Sequence, residues 1–377
     1  MPRRSIRRWL TPLVITLAVP GCEAAPRVQP TSRESTRPSA DDEDKRESTD
    51  ESTEPSKKGS DSTASTDEPE EPKKTSDPAG TGASTSSNEP APPAGPLPPL
   101  TKRCATRLSI ALAGQSPRAS LLKSTDLAAA VDTLVASPEF AERYARFINS
   151  ELNDAPAISA AEDPIYHLAK HVITNDKPWS DLFVGGYQVK ANGDAMSVTN
   201  DANGLGYFRT DAWRKRYAGN ESEGMMLVGA FRIMANTTGL ELNASVGTPD
   251  DDRTANGRSA PACKGCHFDS WFALDKVARL LPKKTGSDDD VSFTPPTAGP
   301  QQLLGKSIAD DKALLTTLVG SDGWRFQQCR SVFKFLYGRP ENKCEAQTFD
   351  RCVDALLQKQ TIRAAVAAAA KDPAVCR

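Results

Sequence analysis

Ser137-Pro138-Glu139-Phe140-Ala141-Glu142-Arg143-Tyr144-Ala145-Arg146-Phe147-Ile148 decides the fold class. The Ser137 hydroxyl suits the unpaired N–H groups that open a helix, and Pro138 at the first position has no N–H to lose. Glu139 adds negative charge at the positive end of the peptide dipoles. Phe140, Tyr144, Phe147 and Ile148 then recur at i, i+4, i+7 and i+8, which puts them on one helical face. Just upstream, Ser124-Thr125-Asp126 opens a second helix through Leu127, Val131, Leu134 and Val135.

The same period returns at 162–173, 223–234, 270–281, 309–318, 324–337, 347–357 and 362–371. Gly338 supplies a C-terminal stop after Tyr337, and Pro340 prevents continuation. Alternating runs of β-branched residues are scarce, so the expected fold is mostly α. Two stretches read as irregular. Residues 185–209 are rich in Gly, Asn and Asp, and 283–302 carry Gly, three consecutive Asp and three Pro. The second is expected to divide a helical domain, 101–302, from a small Cys-rich helical subdomain, 303–377.

The composition changes abruptly before residue 101. From Glu23 to Leu100 there is no Phe, Trp or Tyr, and acids outnumber bases 17 to 9. Ser, Thr, Pro and Glu dominate, so this stretch cannot bury enough apolar area to offset chain entropy. It reads as a disordered tether with an r.m.s. span of roughly 50 Å. Residues 1–22 read as a processing signal. Arg3, Arg4, Arg7 and Arg8 precede a short apolar run, and Val19-Pro20-Gly21-Cys22 resembles the lipobox of bacterial lipoproteins. Lipidation at Cys22 would tie the chain to the cell envelope, with an outer-membrane location expected from Glu23 at the following position. Over the whole chain 47 Lys+Arg balance 49 Asp+Glu, so no basic field suits nucleic acid.

Cys263-Lys264-Gly265-Cys266-His267 carries the most specific chemistry. Two thiols two residues apart span the two vinyl groups on one porphyrin edge, and the following imidazole is placed as proximal iron ligand. With 8 Cys and 3 His in the chain, such a match arises by chance roughly once in a thousand. One covalent haem c is therefore expected, held by Cys263, Cys266 and His267. A disulfide between the two cysteines, or a Zn²⁺ site that includes His267, is the alternative.

Candidates for a distal iron ligand are His171 and His167, at i and i+4 on one helical face, followed by Met225, Met226 and Met234. The same two His also form a common metal pair. Phe268, Trp271 and Phe272 follow the motif, suited either to cover a porphyrin or to join the core. Cys104, Cys329, Cys344, Cys352 and Cys376 remain as disulfide candidates. Four of them fall in the last 49 residues, where two bridges would staple the C-terminal part. Cys104 would then be left over, or would pair into that set.

Several stretches resemble the planctomycete cytochrome-associated domain families of unknown function. They are 106–114 and 131–141, Lys177-Pro178-Trp179-Ser180-Asp181-Leu182-Phe183, Cys266-His267-Phe268-Asp269 with Phe272-Ala273-Leu274-Asp275, and 326–339 ending Phe335-Leu336-Tyr337-Gly338-Arg339. Ser270-Trp271 stands where those families often have Pro-Leu-Gly. The resemblance implies haem binding and extracytoplasmic redox work, without a substrate. No Gly-rich phosphate loop, nucleophile elbow or His-Glu-x-x-His motif points to hydrolase or nucleotide chemistry. The expected function is a lipid-anchored c-type cytochrome that passes electrons to a partner protein of unknown identity. The alternatives are a peroxidase-like haem enzyme and a haem-free structural lipoprotein.

Overall fold

The capping residues set where the helices begin. Thr101, Asp126, Ser137, Asp310, Ser321 and Thr361 each accept, through a side-chain oxygen, a hydrogen bond from a backbone N–H of the helix they precede. The computed structural model describes residues 99–376, save 154–162, 193–194, 220, 222, 243–251 and 287–289. The expected signal segment, Cys22 and nearly all of the expected tether lie outside the described residues. Leu100 does not belong to a tether: it is buried, and its N–H donates to Thr125 O at 2.9 Å.

The first helices are α1 (Lys102–Ala113), α2 (Ala119–Lys123), α3 (Leu127–Ala136), α4 (Pro138–Leu152), α5 (Pro164–Thr174) and α6 (Asp181–Val184). The hairpin β1 (Tyr187–Asn192) and β2 (Ala195–Asn200) follows, then α7 (Asp211–Arg216) and α8 (Leu227–Thr238). Short turns α9 (Ala255–Arg258), α10 (Pro261–Lys264) and α11 (Leu274–Ala278) lead to two small hairpins. These are β3 (Lys283–Thr285) with β4 (Ser292–Thr294), and β5 (Gln301–Leu303) with β6 (Lys306–Ile308). The chain ends in α12 (Asp311–Val319), α13 (Asp322–Tyr337), α14 (Ala346–Lys359) and α15 (Ile362–Ala370). The fold is mostly helical, as expected. No helix among the described residues is long and apolar enough to cross a membrane.

The stretches expected to be irregular contain the β1–β2 and β3–β4 hairpins, and β5–β6 begins at the end of the second. In 185–209, Val189 pairs with Val198 and Ala191 with Met196 in an antiparallel ladder. The glycines that suggested a loop are needed beside it. Gly206 has a φ of 50°, and a Cβ there would collide with the Leu182 and Phe183 backbone. Two helices also differ from expectation. The one expected at 223–234 starts only at Leu227, since Gly224 takes a φ of 70°. The one expected at 270–281 shrinks to α11, because Ser270 closes the preceding turn instead of opening a helix.

The separate subdomain expected at 303–377 is corrected as well: one core of buried residues runs from Leu100 to Val375. Tyr144 on α4 meets Phe335 on α13 edge-on at 4.9 Å and Trp179 at 5.8 Å. The Trp179 indole N–H donates to Gln328 Oε1 at 2.8 Å, fully inside. Phe183 extends the aromatic row to Tyr207 and Trp324. On the other side α15, rich in Ala, lies against α3, α13 and α14. Its Arg363 donates through Nε to Ile173 O at 3.0 Å and through Nη1 to Val135 O, two carbonyls near the ends of α5 and α3.

Candidate functional site

Pro261 starts α10, and the helical turn continues as a wider π-type turn over Gly265–Asp269, closed by Ser270 N–H to Gly265 O at 2.9 Å. Turns of this type are frequent at functional sites. Cys263, Cys266 and His267 stand at i, i+3 and i+4, so the turn carries both thiols and the imidazole on one face. Cys263 is partly buried and Cys266 exposed, and both are free thiols. A Cβ built on Gly265 would meet nothing within 4 Å, so the turn borders open space.

What lies behind His267 is built tightly. Its Nδ1 lies 2.7 Å from Asp275 Oδ2, and Asp275 is 0 % exposed. Arg258, carried by α9, reaches the same carboxylate with Nε at 3.0 and 3.2 Å and with Nη2 at 2.9 Å. Arg258 also donates to Arg253 O, and its Nη2 lies 3.3 Å from Glu223 Oε2. Burial by itself would raise the Asp275 pKa. Hydrogen bonds from His267 and Arg258, with the Arg258 charge, outweigh burial and hold it below the ordinary range. Ala273 takes a φ of 21°, unusual for a residue with a Cβ, and leads α11 back so that Asp275 lies behind the motif.

The three aromatic residues after the motif separate. Phe272 packs partly on the core and meets Trp271 edge-on at 5.5 Å. Phe268 lies under the Arg279 guanidinium at 6.0 Å. Trp271 is half exposed, at 50 %.

The candidate distal ligands fall elsewhere. His167 and His171 sit on α5, which packs on α4, α6 and the β1–β2 hairpin, whereas the motif turn packs on α10 and α11. His171 is held below the ordinary imidazole range by burial and by the nearby Lys177 charge. Met226 and Met234 are buried core residues. Met225 touches the motif's surroundings from the Asp275 side, its Sδ 3.5 Å from Arg258 Nη2. That places it with the support of His267 rather than across from it. Among the described residues no three His, Cys, Asp or Glu side chains converge as a metal-binding group.

Of the remaining cysteines, Cys329 pairs with Cys352 and Cys104 with Cys376. Of the two expected arrangements, the one in which Cys104 pairs into the C-terminal set is found, in place of two bridges inside the last 49 residues. Cys376 crosses back to α1 because the terminal turn Pro373–Cys376 packs there. Cys344 lies on the turn Lys343–Glu345 before α14.

Sequence reasoning missed Arg258 and Glu223 entirely, and met Asp275 only as part of a family resemblance. A lone Arg nine residues before His267 carries no periodic signal, and its burial follows from the turn at α9 rather than from any pattern. Compared with protein-family models, with curated proteins and with solved structures, the chain matches none.

Proposed function

We propose that Cys263, Cys266 and His267 hold one covalently attached c-type haem, and that the chain passes electrons to a partner protein at the cell envelope, anchored by lipid at Cys22. The observation that carries this reading is the pairing of two free thiols with an imidazole whose Nδ1 faces a buried carboxylate. A neutral imidazole that donates from Nδ1 keeps its lone pair on Nε2, the tautomer a metal ligand needs. The contrast with Cys104, Cys329, Cys352 and Cys376, all paired, favours a role for Cys263 and Cys266 other than a disulfide.

When bound, the haem would supply a one-electron couple whose potential depends on its axial ligands and surroundings. The protein's own residues do the rest. Cys263 and Cys266 would hold the group by thioether bonds, on a turn that borders open space at Gly265. Asp275 fixes the ring of His267 and raises its basicity, while Arg258 keeps Asp275 ionised. Trp271, half exposed, follows the motif and offers an apolar surface for the group. A second reading, ligand chemistry at the iron in place of electron transfer, is favoured by the placement of all five candidate distal ligands away from the open face of His267.

Intact mass of the denatured, exported chain tests the proposal. The reading requires the mass of one haem above the polypeptide, and its loss in the Cys263→Ser/Cys266→Ser variant. Free thiols at both positions, in a host that attaches haem c, would refute it.

A further inference from the structure

The His pair on α5 is not used by the proposed haem site, and it lines a groove of its own. His167 and His171 form one wall with Tyr166 and Lys170, and Met196 and Val198 of β2 form the other. The i, i+4 spacing presents both imidazoles to one side of the helix, and β2 alternation presents Met196 on the same face as Val198. From this juxtaposition we infer that His167, His171 and Met196 form a copper(I) site, independent of the Cys-x-x-Cys-His motif.

The donor set selects the metal. Zinc is held by three or four Cys, His, Asp or Glu ligands, and no such third group joins the two His among the described residues. The remaining donor on the groove is a thioether, a soft ligand that suits Cu(I), alongside imidazoles that copper accepts well. The local charges allow a cation. Lys170, on the groove wall, is paired to Glu142 Oε2 at 2.7 Å. The ring of His171 is steadied by Tyr187 edge-on at 5.2 Å. Asn175 Nδ2 lies 3.3 Å from its Nδ1 and steadies the ring from that side.

The test is anaerobic titration of Cu(I), held by a colorimetric chelator, against the exported full chain and against the full-length Cys263→Ser/Cys266→Ser variant. The second protein removes thiols that would take the metal themselves. In both, one Cu(I) per chain should be withdrawn from the chelator. His171→Gln and Met196→Leu, both at partly exposed positions, should weaken it at least about tenfold, already the cost of losing one supporting partner of a ligand. Circular dichroism establishes that the variants remain folded. No copper withdrawn, copper unaffected by either substitution, or Zn²⁺ bound as tightly and with no loss in Met196→Leu would each overturn the assignment.

Discussion

His267 Nδ1 lies 2.7 Å from Asp275 Oδ2, and the same carboxylate takes the Arg258 guanidinium inside the protein. One buried anion therefore orients an imidazole and neutralises a buried cation. Asp275→Asn keeps the shape but leaves the Arg258 charge short of its main partner. Breaking a buried pair in this way costs about 3–5 kcal/mol. Urea unfolding of the variant should show a loss of that size, and the Arg258→Met/Asp275→Asn double variant should lose less than the sum of the single changes. Additive losses would mean that the two residues do not act as a unit. In the haem-loaded protein the same Asp275→Asn change should raise the midpoint potential, since a less basic imidazole donates less electron density.

The bond from Trp179 to Gln328 joins the two parts that the sequence appeared to separate. Gln328→Leu leaves the indole N–H buried without an acceptor, at about 1–3 kcal/mol. Phe335→Ala removes the ring that meets Phe140, Tyr144 and Phe147, at about 3–5 kcal/mol. Both substitutions should shift a single transition seen alike by tryptophan fluorescence and circular dichroism. Two separable transitions, only one of them moved, would contradict a shared core.

The two disulfides close loops of very different length, with sequence separations of 272 for Cys104–Cys376 and 23 for Cys329–Cys352. Loop-closure entropy predicts losses of about 5 kcal/mol for Cys104→Ser and about 3 kcal/mol for Cys329→Ser. Urea midpoints of the two variants, with non-reducing peptide mapping of the parent, check both the order and the pairing.

Glu142 sets an acid limit on stability. Burial opposes its charge, but hydrogen bonds from Lys170 and Tyr166 with the Lys170 and Arg146 charges outweigh burial, lowering the pKa from 4.5 to about 2. A lowered folded pKa means that the unfolded chain binds the proton first as pH falls. The contribution is therefore complete above pH 4.5 and is lost as the pH approaches about 2. Glu142 is one-third exposed, so solvent screening limits it to less than about 1 kcal/mol. Glu142→Gln should flatten this part of the stability–pH curve by that amount and leave its neutral side parallel to the parent. An unchanged acid limb would refute the assignment.

The helices were legible because their signals are local. Asp126 before Leu127, Ser137 before Pro138 and Gly338 after Tyr337 end or begin helices where the sequence placed them. The hairpins were not, because Gly204 and Gly206 announce a loop whereas their actual task is to let it pass close to β1 and α6. The single core was hidden for a similar reason. The Pro- and Asp-rich stretch 283–302 looks like a boundary, but the contacts that cross it, such as Phe140 with Phe335, lie far apart in sequence. At the candidate site the Cys-x-x-Cys-His spacing was plain, and its support was not. Nothing in the order of residues tells that Arg258 and Asp275 meet, since that depends on the turn at Ala273.

The central claim is covalent haem at Cys263 and Cys266, and a pyridine haemochrome spectrum of denatured, exported protein tests it most directly. Covalent attachment predicts a c-type α-band that remains with the polypeptide after denaturation and disappears in Cys263→Ser/Cys266→Ser. A colourless protein from a host that attaches haem c, or a band that extracts into organic solvent, would contradict it.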